Sequence, residues 1–395
     1  MSVKPKGKVF VGLSGGVDSA FSAALLQKQG YEVVGVFIKT WHPEFLACNE
    51  EEERRDAMRV AAFLDIPFLS FDLEDAYKRE VADYMIREYK AGRTPNPDVM
   101  CNKEVKFGAF LKKALSMGAD FVATGHYARN FFLSPLTRGR LRGGEFRSTS
   151  PRPSPYKGEG ATYNLQKGID PSKDQSYFLW TLDQEQLKHI LFPIGHLRKQ
   201  DVRKLAKKFG LPVAEKKDSQ GICFLGDIDL KEFLKHYIKE KKGKVLNEKG
   251  NEVGHHDGAV FYTFGERHGF TVTNKNPDDG PYYIVGKDIK KNILTVSQDR
   301  ARKRPDLKNS KRFGLEEARN SILELENTNW ISQIPKEDKT YKAQIRYHGE
   351  FLPCKVICGS KASAEVIFEK PVLVAPGQSC VIYNKDVCLG GGVVA

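Results

Sequence analysis

The sequence predicts an α/β protein, a doubly wound parallel sheet followed by a small connecting domain and a C-terminal β-barrel. Three observations carry that expectation. Over roughly the first 125 residues, short apolar runs alternate with segments of helical periodicity; a glycine-rich turn joins the first run to the first helix; and the last hundred or so residues alternate apolar with polar side chains. A continuous apolar run suits a strand buried on both faces, whereas alternation suits a strand with one wet face.

Taken in order, residues 9–11 read as the first strand, and Ala20, Phe21, Ala23, Ala24 and Leu26 as the apolar face of the helix that follows. Strands are expected at 32–38, 68–71 and 121–124. Helices are expected at 50–64, with Ala57, Val60, Ala61 and Leu64 on one face, and at 75–90. A loop over 91–102 precedes a third helix, on which Phe107, Phe110, Leu111, Ala114 and Leu115 recur at helical spacing. Sheets of this kind bind ligands at the carboxyl ends of their strands, where the first loop, the 91–102 loop and Gly125-His126 would all emerge.

Residues 131–160 lack periodicity and are rich in Ser, Pro, Arg and Gly, so a disordered insertion is expected there. A strand at 163–165, a helix near 184–191 and a basic helix at 199–209 follow. Arg203, Lys204, Lys207 and Lys208 make one face of that helix cationic, which suits either a phosphate contact or simple solvation. Leu230, Phe233, Leu234, Tyr237 and Ile238 make an amphipathic helix opening at Asp229. A lysine-rich hinge at 239–244 leads to a glycine-rich module with strands at 260–264 and 282–285. Barrel strands are expected around Tyr341, Ala343, Ile345 and Tyr347, and at 366–368, 372–374 and 381–383. The expected domains are 1–228, 229–290 and 291–395.

A chain of 395 residues, 40% hydrophobic and 29% charged, has room for two or three domains. No apolar stretch approaches the ~20 residues that span a bilayer, and the start is polar and basic, so a cytoplasmic protein with no membrane partner is expected. Seven cysteines, an odd number at irregular spacing, argue against a disulfide scaffold. The net charge of +13 points to a polyanionic partner, nucleic acid first, although part of it falls in the Arg-rich 131–160 stretch.

The turn reads Gly12-Leu13-Ser14-Gly15-Gly16-Val17-Asp18-Ser19. Its glycines would let backbone N–H groups and the positive helix end face phosphate oxygens, with Ser14 and Ser19 as hydroxyl donors. No Lys follows them, so the turn is not a Walker loop. A nest of this kind suits a departing pyrophosphate, with Asp18 near enough to bind Mg²⁺, which implies attack at the α-phosphate of a nucleotide. A strand-to-helix turn with no ligand is the blander reading; the Ser, Asp and Ser positions favour the nucleotide.

Cys101 precedes a helix for which Asn102 would be the N-cap, and a helix start with Lys103 and Lys106 nearby lowers a thiol pKa. Asp98 is close enough to act as a base or to hold a substrate edge. A cysteine at a helix start can equally be a small core residue. Cys223 sits between glycines in Gly221-Ile222-Cys223-Phe224-Leu225-Gly226, as a mobile thiol or as a buried hydrophobe. The remaining cysteines lack such surroundings, and Cys354 with Cys358 lacks a second ligand pair for zinc.

Together Ser14-Gly-Gly-Val-Asp-Ser19, Asn96-Pro-Asp98 with Cys101-Asn102, Thr124-Gly-His126-Tyr-Ala, Lys173-Asp-Gln-Ser176 and Gly221-Ile-Cys223 closely resemble the tRNA 2-thiouridylases, the tRNA-uridine 2-sulfurtransferases of bacteria and mitochondria. These belong to the wider PP-loop ATP pyrophosphatases, with an adenine nucleotide α-hydrolase-like fold. The resemblance implies ATP and Mg²⁺ as cofactors, tRNA as substrate and a sulfur-relay persulfide donor protein as partner. It places ATP on residues 12–19, Ile38 and Gly125, and the target uracil against Asn96, Pro97 and Asp98. It puts tRNA against His126, Lys173, Asp174, Gln175, Arg346, Tyr347 and Gln378. Cys101 matches the family's nucleophile and Cys223 its persulfide carrier. Because Asp98 rather than a third cysteine begins the Asp-x-x-Cys arrangement, no iron–sulfur cluster is expected. Two other readings compete: an ATP pyrophosphatase that amidates a small metabolite, and an RNA-binding protein with a relic loop. The first leaves both cysteines without a purpose; the second would release no pyrophosphate.

Overall fold

The computed structural model describes residues 5–46, 49–133, 162–217, 230–273, 280–298, 319–359 and 362–395. Strands β1 (Lys8–Gly12), β2 (Glu32–Lys39), β3 (Phe68–Asp72), β4 (Phe121–Ala123) and β7 (Ile190–Leu191) form one parallel sheet in the order β3-β2-β1-β4-β7. The interior of β2, Val-Val-Gly-Val-Phe, is buried without a break, as a strand covered on both faces requires.

Helices α1 (Val17–Lys28) and α2 (Glu50–Phe63) cover one face with a core of Val9, Val11, Phe21, Val33, Ala57 and Val60. On the other face Phe10, Val36, Phe71, Phe107 and Phe110 meet Tyr177, Trp180 and Tyr383. The expected 75–90 helix is α3 (Glu74–Tyr77), a π-helical segment (Lys78–Ala82) and α4 (Asp83–Lys90).

Four sequence expectations are corrected. Residues 91–102 are not all loop, because α5 (Pro97–Met100) starts inside them and continues as a π-helical segment, Cys101–Phe110, into α6 (Leu111–Ser116). The helix expected near 184–191 stops early: α7 (Gln184–Lys188) gives way to β7, which pairs with β4. Residues 260–264 are no strand, since Ala259–Phe261 is a 3-10 turn. Phe131 and Phe132, at the start of the expected insertion, belong to β5 (Ala128–Leu133); residues 134–160 lie outside the described residues.

The middle sheet runs β10 (Thr271–Val272), β9 (Glu252–His256), β8 (Gly243–Asn247), β12 (Ile293–Ser297), β11 (Tyr283–Asp288). Strand β12 is thus part of this sheet, although it lies past the boundary expected at 290. Strands β13 (Arg319–Trp330), β16 (Ala364–Leu373), β15 (Leu352–Cys358), β14 (Tyr341–Gln344), β17 (Ser379–Asn384) and β18 (Val387–Val394) close into a barrel through β13 and β18. Glycine allows the closure: a Cβ on Gly390 would stand 1.9 Å from Asn329 O. The hairpin of β5 and β6 (Thr162–Lys167) adds to the edge of β18, so the barrel sheet recruits strands from the N-terminal half.

Candidate active site

The glycine turn leaves β1 at the carboxyl end of the sheet and opens α1. Gly16 is the N-cap, and the first helical bond runs from Ala20 N to Gly16 O at 3.2 Å. The amides of Val17, Asp18 and Ser19 therefore have no intrahelical acceptor, the arrangement that attracts anions. Ser19 Oγ donates to Gly16 O at 3.1 Å and lies 3.3 Å from Ser14 Oγ, which fixes the loop on itself. Gly15 has φ +71, and a Cβ there would meet Glu53 O of α2 at 2.6 Å. Its glycine is needed for packing on α2, a reason distinct from the ligand approach expected for it. Gly125 is also constrained, since its Cβ would fall 2.8 Å from Ser19 N. Thr124-Gly125 thus lies against the first turn of α1. Ile38, at the end of β2, packs near Gly12.

Asp18 is held by two residues from elsewhere in the chain. Lys199 Nζ, at the start of α8 (Lys199–Lys208), donates to Oδ2 at 2.6 Å, and the Tyr127 hydroxyl donates to Oδ1 at 2.7 Å. The Lys199 side chain is only 9% exposed. Both carboxylate oxygens are therefore engaged, by a cation and a hydroxyl, where the sequence reading expected Mg²⁺. Among the described residues no group of three or more His, Cys, Asp or Glu could hold a metal. Lys199 supplies the cation missing from the turn itself. The sequence singled out its helix but not this residue. Arg203 on the same helix donates to Ala214 O and Lys216 O, so that part of the cationic face is spent internally.

Cys101 is 3% exposed and shares a core with Tyr77, Val81 and Val105, against which Ile38 also packs. The helix N-terminus expected at Asn102 lies earlier: Asn96 is the N-cap, its Oδ1 accepting from Val99 N at 3.4 Å, with Pro97 at the first helical position. Asn102 is instead buried, and its Oδ1 has no hydrogen-bond partner in the structure. Pro97 is buried, while Asp98 lies near Tyr347, whose phenol is pushed up to about 12 by burial and by the charges of Asp174 and Asp98. The Asn96 side chain hydrogen-bonds the Tyr177 hydroxyl, which donates to Ser379 O at 2.9 Å.

The residues expected to touch tRNA divide into two groups. His126 is 7% exposed, packs near Phe107 and Phe192 and hydrogen-bonds Thr124 Oγ1 at 2.8 Å. Burial, then Lys106, holds its pKa well below the usual value. Asp174 accepts from Gly168 N, Ser176 N and Ser176 Oγ, and burial raises its pKa. Gln175 Oε1 accepts from Tyr127 N, and Gln378 Nε2 donates to Thr94 O and Pro95 O. All four side chains hydrogen-bond within the protein; His126 is buried, and Asp174, Gln175 and Gln378 are half-buried. Lys173 and Tyr347 are half-buried and Arg346 is exposed, with the Tyr347 ring 4.4 Å from that of Phe178. Cys223 lies outside the described residues.

A Gly-rich anion cradle at the carboxyl ends of a parallel sheet, followed by a middle sheet and a closed barrel, defines a PP-loop nucleotide enzyme. Family models match in chain order as a tRNA methyl transferase HUP domain over residues 7–227, a tRNA methyl transferase PRC-barrel domain over 231–298 and an aminomethyltransferase beta-barrel domain over 320–394. The tRNA-specific 2-thiouridylase MnmA of Geobacillus thermodenitrificans is 42% identical over 98% of this chain and 94% of its own length. That of Streptococcus thermophilus is 40% identical over 100% and 96%. The chain belongs to the tRNA-specific 2-thiouridylase family. Among solved structures, a 4-thiouridine synthetase–RNA complex with bound ATP is similar over 58% of this chain and 50% of that one, at 18% identity and TM-score 0.32.

Proposed function

We propose that this chain is a tRNA sulfurtransferase that uses ATP to replace the 2-oxo oxygen of the wobble uridine by sulfur. The observation that carries the reading is the common location of cradle and thiol. Gly125 packs on the first turn of α1, and Cys101 belongs to a core against which Ile38, at the end of β2, also packs, which supports a thiol on the carboxyl side of the sheet.

In this reading the uracil O2 attacks the α-phosphate of ATP, forming an O–P bond and releasing pyrophosphate toward the amides of Val17, Asp18 and Ser19. Lys199 provides the positive charge that other phosphate loops carry in sequence. AMP, bound through that oxygen, becomes the leaving group. A persulfide on Cys223, loaded by a donor protein, supplies the sulfur by one of two routes. Either its terminal sulfur attacks C2, AMP departs and Cys101 attacks Cys223 to close a disulfide, or Cys101 first frees sulfide from the persulfide. Both leave Cys101 and Cys223 oxidised, and a thiol reductant resets them. A wobble base reaching Asn96, Pro97 and Asp98 must leave its stack.

The decisive experiment incubates unmodified tRNA with the protein, ATP, Mg²⁺ and a persulfide source, followed by nucleoside mass spectrometry. A mass gain matching oxygen replaced by sulfur on uridine is expected. Pyrophosphate release that needs no tRNA, with no thiouridine formed, would overturn the reading.

A further inference from the structure

The segment leading into Asn96 is gripped by parts of the chain that lie far away in sequence. Thr94 N donates to Pro376 O at 2.8 Å, and Gln378 Nε2 donates to Thr94 O at 2.9 Å and Pro95 O at 3.3 Å. Thr94 Oγ1 lies 3.1 Å from Thr263 Oγ1 of the middle module. Arg93 joins Glu88, Glu326 of β13 and the carbonyl of Val394.

Two glycines at positive φ permit the approach. A Cβ on Gly377 (φ +91) would stand 3.0 Å from Thr94 O, and one on Gly92 (φ +82) 2.4 Å from Ile289 Cγ1. Thr94 is buried, so its N–H and C=O depend on these partners. Losing one such partner leaves a buried polar group unsatisfied, and the backbone shifts instead.

We propose that the Pro376–Gly377–Gln378 turn of the barrel is a positioning device for the base pocket, and that Gln378 acts through Thr94 and Pro95 on Asn96, Pro97 and Asp98. It rests on the thiolation reading for the identity of the substrate, but not for the contacts. The barrel that carries Arg346 and Tyr347 is thereby mechanically continuous with the pocket wall. Asn96 caps the helix in which Cys101 lies, so a shift at Thr94 also reaches the thiol.

The test is Gln378→Met, which keeps length and removes the donor, compared with wild type in three measurements. These are the tRNA Kd, the kcat and KM of tRNA-dependent pyrophosphate release, and the rate at which N-ethylmaleimide labels Cys101 in tRNA-free protein, read on the Cys101 peptide. A pocket displaced by a fraction of an ångström predicts a kcat loss of about tenfold with tRNA Kd within about twofold. Cys101 labelling is expected to rise severalfold. Thr94→Val, which removes only the hydroxyl facing Thr263, is expected to move kcat and labelling the same way. A tenfold rise in Kd with saturated kcat intact would make Gln378 an RNA contact and overturn the proposal, as would no change in any measurement. If wild type releases no pyrophosphate with tRNA, the thiolation reading fails; the Cys101 labelling arm still decides the clamp.

Discussion

At the scale of single residues, the phosphate cradle depends on a charge supplied from outside it. Asp18, in the first turn of α1, would by itself repel a triphosphate; Lys199 at 2.6 Å neutralises it and Tyr127 holds its other oxygen. Lys199→Met is therefore expected to lower tRNA-dependent pyrophosphate release by about 10²-fold, the scale of losing one preorganised electrostatic group. Lys199→Arg should recover part of it. Wild-type rates in Lys199→Met would remove the residue from the mechanism. Asp18→Ala should also block adenylation, but through misplacement of Lys199, so added Mg²⁺ will not rescue it. Cys101→Ser and Cys223→Ser are each expected to abolish multiple-turnover thiolation while tRNA binding, measured by filter retention, survives. Sustained turnover in either variant contradicts the two-thiol scheme.

At the scale of elements, β11 of the middle module carries Lys287, largely buried, with Nζ donating to Tyr262 O at 2.8 Å and its pKa lowered by burial to about 8. The folded pKa lies below the unfolded one, so the unfolded state binds more protons and stability rises with pH from about 8 toward about 10.5. Replacement by Met should remove that dependence, raising stability near pH 7 by about 1–2 kcal/mol once the lost hydrogen bond is subtracted. The difference in melting temperature between Lys287→Met and wild type, followed from pH 7 to 9.5, should shrink with pH; a constant difference contradicts it. Elements were legible where the cause is local. The period of β1, α1, β2 and α2 lies within each stretch, and the structure follows it closely. The start of α5 was missed because Pro95 and Pro97 read as loop, although Asn followed by Pro is a helix-start signal in its own right. The ties of Lys199 to Asp18 and of Gln378 to Thr94 span too much sequence for any local pattern to announce them. So does the recruitment of β5 and β6 by the barrel.

For the whole molecule, the consequence is that the N-terminal domain and the barrel share one buried seam. Trp180 Nε1 donates to Ser379 Oγ at 3.1 Å, Asn329 Nδ2 to Trp180 O at 2.8 Å and Leu182 O at 3.0 Å, and Gln184 Nε2 to Ile331 O at 2.6 Å. Around these bonds Leu165, Tyr177, Leu179, Trp180 and Leu182 form a single core with Val381, Tyr383 and Cys388. An independent barrel would leave those aromatic and aliphatic side chains in water, at roughly 1.5–3 kcal/mol for each large one. The two parts are therefore expected to unfold together. Hydrogen exchange along a urea titration should give the same midpoint for peptides from β1 and α1 as for peptides from β15 and β17. Trp180→Phe removes the donor to Ser379 and should lower that shared midpoint by about 1–2 kcal/mol in stability. Separate midpoints, with the substitution moving only one of them, would show that the seam does not couple the domains, and the barrel could not then transmit its position to the pocket.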